Sequence, residues 1–508
     1  MIKSVLDYLE NSASLYGERC AYRDGRQSLT FHQVRAMARS VGTGIGRLKA
    51  FNRPVAVFME KSPSMVAAFL GAVYGGCCYC PIDTAMPQDR LLAVIKALDP
   101  AAVIAGGAQM EQVQTMNLPC PVYEFDRLCG CEEDGDLLDG VRERRTDADP
   151  LYILFTSGST GVPKGVVVSH RVIINNMEWL EEEYGFGPED VWGNQAPLYF
   201  DVSDHDIYCP LKFGCSTVFI PPEHFAFPAN LMAFLNDQKV TGIFWVPFAL
   251  SMAANFRALE VQIPRYLNYV FFAGEVMPLK SLNYWRRYVP DAVYCNMYGP
   301  TETYVCTYYN VDREFGDGET LPIGRPCGNV GLLVLDKENR LILPGSGGEG
   351  ELCVRGCTLA SGYYSDPERT KEKFVQNPLN LHYPETIYRT GDMVSYNERG
   401  ELIYHDRMDS QIKRLGYRIE LGEIEAASGN VPGIRDCACV YDQARQMILF
   451  FYTGQKTDKK ELSRGLSAKL PKYMMPNRYV YLEEMPRNAN GKIDRKKLKE
   501  FGCSLGRL

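Results

Sequence analysis

Residues 151–170 read LYILFTSGSTGVPKGVVVSH: an apolar run empties into a loop of hydroxyls and glycines closed by a lysine, and a second apolar run follows. Thr156, Ser157, Ser159 and Thr160 offer hydroxyl donors. Gly158 and Gly161 let backbone N–H groups turn toward an anion, and Lys164 brings a mobile positive charge. That set suits a polyphosphate. Its spacing is not that of a Walker loop, which needs Gly, four residues, then Gly-Lys-Ser/Thr, so a simple P-loop ATPase is disfavoured. The plain alternative is a polar surface loop between two strands.

The elements that must hold this loop are legible around it. Residues 30–48 have helical spacing, 54–59 form a short apolar strand, 64–75 are again helical, and 98–104 lead toward another strand. The acidic stretch 132–149 reads as an exposed connector ahead of the loop. Residues 218–222, 242–247 and 267–272 read as buried strands separated by helical segments, the pattern of a parallel or mixed sheet covered by helices. Beyond residue 322 the chain is rich in glycine and turns, with short strands at 330–335 and 350–354, as in a small barrel or antiparallel sheet. The expected fold is α/β: a large N-terminal domain of layered sheets and helices with a small barrel-like subdomain, residues 1–406, then a small mobile α+β domain, residues 407–508.

Composition narrows the function class. The 508 residues carry a formal charge of −7, which gives no reason to expect nucleic acid as a partner. Residues 407–508 hold 20 Lys and Arg against 12 Asp and Glu, a basic segment that suits an anionic ligand or simply a solvated face. The N-terminus lacks an apolar run long enough for a signal peptide or membrane span, so a cytoplasmic protein without stable membrane insertion is expected. Seventeen cysteines, an odd number, and six histidines fit reduced thiols better than a disulfide framework or zinc site.

Five segments together resemble a known family. TSGSTGVPKG at 156–165, MYGPTET at 297–303, YRTGDMV at 388–394, DRMDSQIKRLGYRIELGEIE at 406–425 and NGKIDR at 490–495 are similar, in order and separation, to the core motifs of the adenylate-forming superfamily. They look most like the adenylation domains of non-ribosomal peptide synthetases and the D-alanine–D-alanyl carrier protein ligases. The resemblance implies two steps. A carboxylate attacks the α-phosphate of ATP to give acyl-AMP and pyrophosphate, and the phosphopantetheine thiol of a carrier protein then displaces AMP. The protein's task in such chemistry is positioning and charge stabilisation rather than covalent catalysis.

The same resemblance implies roles residue by residue. Tyr298 would lie against adenine, Thr301 near the α-phosphate, and Glu302 on Mg2+, in keeping with a planar ring, a hydroxyl and a hard carboxylate. Asp392 would accept the ribose hydroxyls and Arg407 would contact ribose and phosphate, although the two could instead form a structural ion pair. Lys492 would be the adenylation lysine, Asp409 the hinge, and Gly416 the face presented for thioester formation.

Asp201 matches the aspartate that pairs with a substrate α-ammonium, which argues against an acyl-CoA ligase. Val202, His205, Phe272, Ala273, Cys295 and Met297 would line the side-chain pocket, where bulky Phe272 and Met297 favour a small amino acid such as alanine, serine or glycine. Ala273 and His205 depart from the D-alanine ligases, so side chain and chirality stay open. His205 could hydrogen-bond a polar substrate or pack as a neutral ring. With nothing domain-sized after Lys492, a stand-alone enzyme serving a separate carrier is expected, its oligomeric state undetermined. A non-catalytic nucleotide- or carrier-binding protein of the same fold is the different-class alternative, opposed by the presence of Lys164, Glu302, Asp392 and Lys492.

Overall fold

Strands buried on both faces must be apolar throughout, and such strands can pair in parallel only when long crossovers return the chain. Val191–Asn194, Ser216–Phe219, Gly242–Trp245, Tyr269–Phe272 and Val293–Tyr298 follow it for the most part, with Asn194, Ser216, Thr217 and Asn296 as polar exceptions, and pair in parallel at the centre of a nine-stranded sheet. Antiparallel strands close its ends: Thr307–Asn310 and Arg325–Pro326 at one side, and Ser28–Thr30 against Cys20–Arg23 at the other. The computed structural model describes residues 2–158, 163–316, 318–429, 431–443, 445–488 and 493–504.

A second sheet of seven strands runs in the order Gly362–Tyr363, Lys164–Ser169, Pro150–Thr156, Cys78–Pro81, Pro54–Phe58, Ala102–Ala105, Val122–Glu124. The hydroxyl-rich loop therefore connects two neighbouring strands of this sheet. Helix Pro63–Tyr74, capped by Ser62, packs on it, and helix Phe31–Gly46, with a Thr30–Gln33 capping box, packs on that helix in turn. The acidic 132–149 stretch is not a simple connector. Helix Gly135–Arg144 forms there, capped by Asp134 and anchored by buried Leu138. Only one of the three apolar residues in this charged decapeptide is buried, too weak a periodic signal to read locally.

The region after residue 322 forms an antiparallel sheet. Val330–Leu335 pairs with Gly350–Gly356, which pairs with Thr386–Tyr396, which in turn pairs with Phe374–Gln376 and Leu402–Arg407. Among the described residues no helix is long and apolar enough to cross a membrane, and sixteen of the cysteines stand outside any disulfide.

Packing divides the chain into two units: Met1–Thr84, Leu98–Leu154 and Val166–Met408 in one, and Ala85–Ala97, Phe155–Gly165 and Asp409–Leu508 in the other. The second unit contains a three-stranded sheet of Ile434–Asp442, Met447–Gly454 and Arg478–Tyr481, with helices Leu421–Ser428, Lys459–Ser467 and Arg495–Ser504. It also contains the hairpin Gln411–Arg414 and Tyr417–Glu420, whose turn residues Leu415 (φ 54°) and Gly416 (φ 80°) both lie in the left-handed region that a tight two-residue turn requires.

Candidate active site

The large unit gathers one cluster at the C-terminal ends of its parallel strands, where open α/β sheets present their sites. Strand Val293–Tyr298 delivers Tyr298 and then turns sharply. A Cβ at Gly299 would meet the Tyr304 carbonyl oxygen at 1.5 Å, so no other residue fits that close approach. The turn places Thr301 so that its hydroxyl donates to Asp201 Oδ2 at 2.5 Å. Asp201 opens the short 3-10 turn Asp201–Ser203 before helix Asp204–Phe213. Glu302, fully buried, accepts the Tyr363 hydroxyl at 2.7 Å, and its carbonyl accepts the Ala360 N–H at 2.9 Å.

Asp392 and Arg407 stand directly opposite each other on neighbouring strands. Arg407 Nη1 donates to Asp392 Oδ1 at 2.8 Å, with both side chains nearly inaccessible, and Tyr298 donates its hydroxyl to Asp392 Oδ2. The Asp392 N–H donates to Thr390 Oγ1 at 3.0 Å, which fixes the carboxylate's own backbone. Burial and the facing Asp392 raise the Tyr298 phenol well above its ordinary value, so it remains a donor.

The residues expected on the substrate side separate by strand alternation. Ala273, Cys295 and Met297 share one buried core, with Val202 packed against it. Phe272 does not join them: it packs with Val270, Trp245 and Trp285 on the opposite face of the sheet, while Phe271 takes the face of Cys295 and Met297. Successive strand residues point to opposite faces, so Phe271 and Ala273 must share a side and Phe272 must not. The period-two pattern of Tyr269–Phe272 carries that signal.

His205 is buried with its ring edge-on to Trp192, 4.1 Å between centroids, and within 6.1 Å of Phe271. Its Nε2 has no hydrogen-bond partner among the described residues, and burial lowers its pKa to about 3, so the ring is neutral. Asp204, missed from sequence, is a buried acid bonded to the Tyr152 hydroxyl. Its pKa is driven well above the carboxylate range by burial, with nearby Asp201 adding to the rise.

In the second unit, Thr156 Oγ1 is buried with no hydrogen-bond partner among the described residues. Ser157 Oγ donates to the Arg418 carbonyl at 2.9 Å and accepts the Glu420 N–H at 3.1 Å. The Gly158 N–H donates to Glu423 Oε2 at 3.2 Å, and Lys164 begins the returning strand, half-buried. Asp409 accepts the Gln411 N–H at 3.1 Å, and Gly416 sits in the hairpin turn. Ser159, Thr160, Gly161 and Lys492 lie outside the described residues.

Glu302 is the single carboxylate of the YGPTE segment. Among the described residues no group of three His, Cys, Asp or Glu could hold a metal by itself. Mg2+ is commonly carried by one or two carboxylates together with phosphate oxygens and water, and Glu302 is a carboxylate of that kind.

The family described as AMP-binding enzyme matches residues 9–364, and that described as AMP-binding enzyme C-terminal domain matches residues 423–492. The chain is 31% identical to the L-proline--[L-prolyl-carrier protein] ligase of Streptomyces coelicolor, covering 97% of this chain and 96% of that relative. Among solved structures, that of IdnL1 is 27% identical with a TM-score of 0.80, covering 96% of this chain and 99% of that one. Holo-PA1221, a non-ribosomal peptide synthetase protein containing adenylation and peptidyl carrier domains, superposes with a TM-score of 0.84 at 23% identity, over 98% of this chain and 84% of that one, a likeness of fold.

Proposed function

The chain belongs to the AMP-binding enzyme family, and on that premise we propose that it activates a small amino acid with ATP and passes it to the phosphopantetheine thiol of a separate carrier protein. In the first step a substrate carboxylate oxygen attacks the α-phosphorus, the bond to the β-phosphate oxygen breaks, and pyrophosphate leaves. In the second step the carrier thiol loses its proton, its sulfur attacks the acyl carbon, and AMP departs with the former carboxylate oxygen.

The hydrogen bond between Thr301 and Asp201 carries this reading. In an α-amino acid the ammonium and carboxylate are attached to one carbon. An anion that holds the ammonium must therefore lie beside the group that receives the phosphate if the carboxylate is to meet the α-phosphorus. Asp201 supplies the anion and Thr301 the adjacent hydroxyl, a pairing that a fatty or aryl acid would not need. Such placement lowers the barrier by holding the reactants in attack geometry.

Around this centre Tyr298 takes the adenine, and Asp392 with Arg407 the ribose and phosphate side. Thr156, Ser157, Gly158, Ser159, Thr160, Gly161 and Lys164 take the β- and γ-phosphates. Mg2+, held by Glu302, supplies charge neutralisation on the phosphates. Lys492 addresses the α-phosphate and carboxylate. Residues 407–508 turn about Asp409 to bring the Gly416 face forward for thioester formation. Met297 and Phe271, both buried on the pocket face, leave room for a small side chain. The basic 407–508 segment suits an acidic carrier, and ATP together with unpaired thiols suits the cytoplasm. Amino-acid-dependent exchange of labelled pyrophosphate into ATP tests the reading. Exchange with a small amino acid is expected, and none across D- and L-amino acids with Mg2+ present would reject it.

A further inference from the structure

The loop assigned to phosphate already has an anion bound to it from within its own packing unit. The Gly158 N–H donates to Glu423 Oε2 at 3.2 Å, while Glu423 Oε1 pairs with the Arg90 guanidinium. Both side chains are withdrawn from solvent, Glu423 to 2% and Arg90 to 8% exposure. Ser157 is engaged alongside by Arg418 and Glu420 of the adjoining hairpin strand. A backbone amide at a strand-to-loop turn, flanked by a guanidinium, is what a phosphate oxygen seeks. Here a carboxylate has taken that place.

We propose that Glu423 is a built-in stand-in for phosphate: the Gly158 amide is occupied either by Glu423 or by a phosphate oxygen of ATP or pyrophosphate, never by both. The inference rests on the reading of residues 156–165 as the phosphate loop of an adenylate-forming ligase. One N–H cannot serve two anions, and two anions brought that close with one donor between them repel. Once pyrophosphate has left, Glu423 fills its place, so pyrophosphate cannot re-enter and reverse the first step while the aminoacyl-AMP awaits the thiol. Arg90 has a second part in this arrangement, because it neutralises Glu423 in a buried position that an unpaired carboxylate would not hold.

The test is calorimetric titration of inorganic pyrophosphate with Mg2+ into the full chain, without ATP or amino acid, for the wild type and for Glu423→Gln. Glutamine keeps the size and removes the charge. Pyrophosphate is expected to bind the variant five- to tenfold more tightly, with Glu423→Asp, which withdraws the carboxylate by one methylene, falling between. Equal affinities for wild type and Glu423→Gln overturn the inference and leave the phosphate loop standing. Failure of both proteins to bind pyrophosphate overturns it together with the phosphate-loop reading. Should Glu423→Gln not fold, hydrogen exchange of the wild type decides: saturating pyrophosphate should speed exchange in the peptide spanning Leu421–Ser428, and unchanged exchange there overturns the proposal.

Discussion

Thr301 donates its hydroxyl to Asp201 Oδ2 across 2.5 Å, joining the turn after strand Val293–Tyr298 to the turn before helix Asp204–Phe213. The bond ties the group expected to meet phosphate to the group expected to meet an ammonium. Thr301→Val keeps the shape and removes the donor. A hydrogen bond to a charged group is worth roughly 1.5–3 kcal/mol, so kcat/KM for pyrophosphate exchange should fall by about 10- to 100-fold. Asp201→Asn should raise KM for the amino acid far more than KM for ATP. Steady-state exchange kinetics of the two variants measure both effects.

Strand alternation puts Phe271, not Phe272, on the buried face shared by Cys295 and Met297. Phe271→Leu should change the ranking of amino acids in the exchange assay. Phe272→Leu should leave the ranking intact and lower stability by about 1–3 kcal/mol, the cost of an imperfectly refilled core site. A substrate panel beside urea unfolding separates the two.

These two phenylalanines also show where sequence reasoning stops. The strand at residues 267–272 is legible from its apolar run, and the Tyr269–Phe272 strand lies inside those bounds. A strand apolar on both faces, however, does not announce which face borders the site. Likewise the helix at residues 30–48 is found as Phe31–Gly46 because its cap and period agree. Glu423 and Arg90 are 333 residues apart, and no local pattern could pair them. Asp204 was hidden differently: DVSDHD holds three acids, and only burial sets Asp204, bonded to Tyr152, and Asp206, bonded to Asn194, apart from Asp201.

Asp392 and Arg407 form a buried pair completed by Tyr298. Removing one partner of such a pair strands the other charge, typically at about 3–5 kcal/mol. Arg407→Ala should therefore destabilise the large unit by that order and raise KM for ATP. Tyr298→Phe, which removes one hydroxyl from Asp392, should cost only about 1–3 kcal/mol. Denaturant unfolding monitored alongside ATP kinetics checks the order of the two variants.

Burial holds the His205 pKa near 3, against an ordinary value of 6.5. The unfolded chain therefore binds more protons than the folded chain between those values, and stability rises with pH through that window. The stabilisation is complete above pH 6.5 and is lost as pH falls toward 3. Between pH 7.5 and pH 5 the wild type should lose about 2 kcal/mol more stability than His205→Leu. The exchange rate should show no His205 titration between pH 5.5 and 8. Urea melts at the two pH values test the first statement and a pH profile of the variant pair tests the second.

The most direct measurement is a single-turnover reaction of the full chain with ATP, Mg2+ and a pool of glycine and the D and L forms of alanine and serine, its nucleotide products resolved by chromatography and mass spectrometry. Pyrophosphate and an aminoacyl-AMP are expected in equal amounts, formed only when amino acid is present and diminished at the same amino acid concentration in Asp201→Asn. ADP with inorganic phosphate, or AMP released without regard to amino acid, would contradict it.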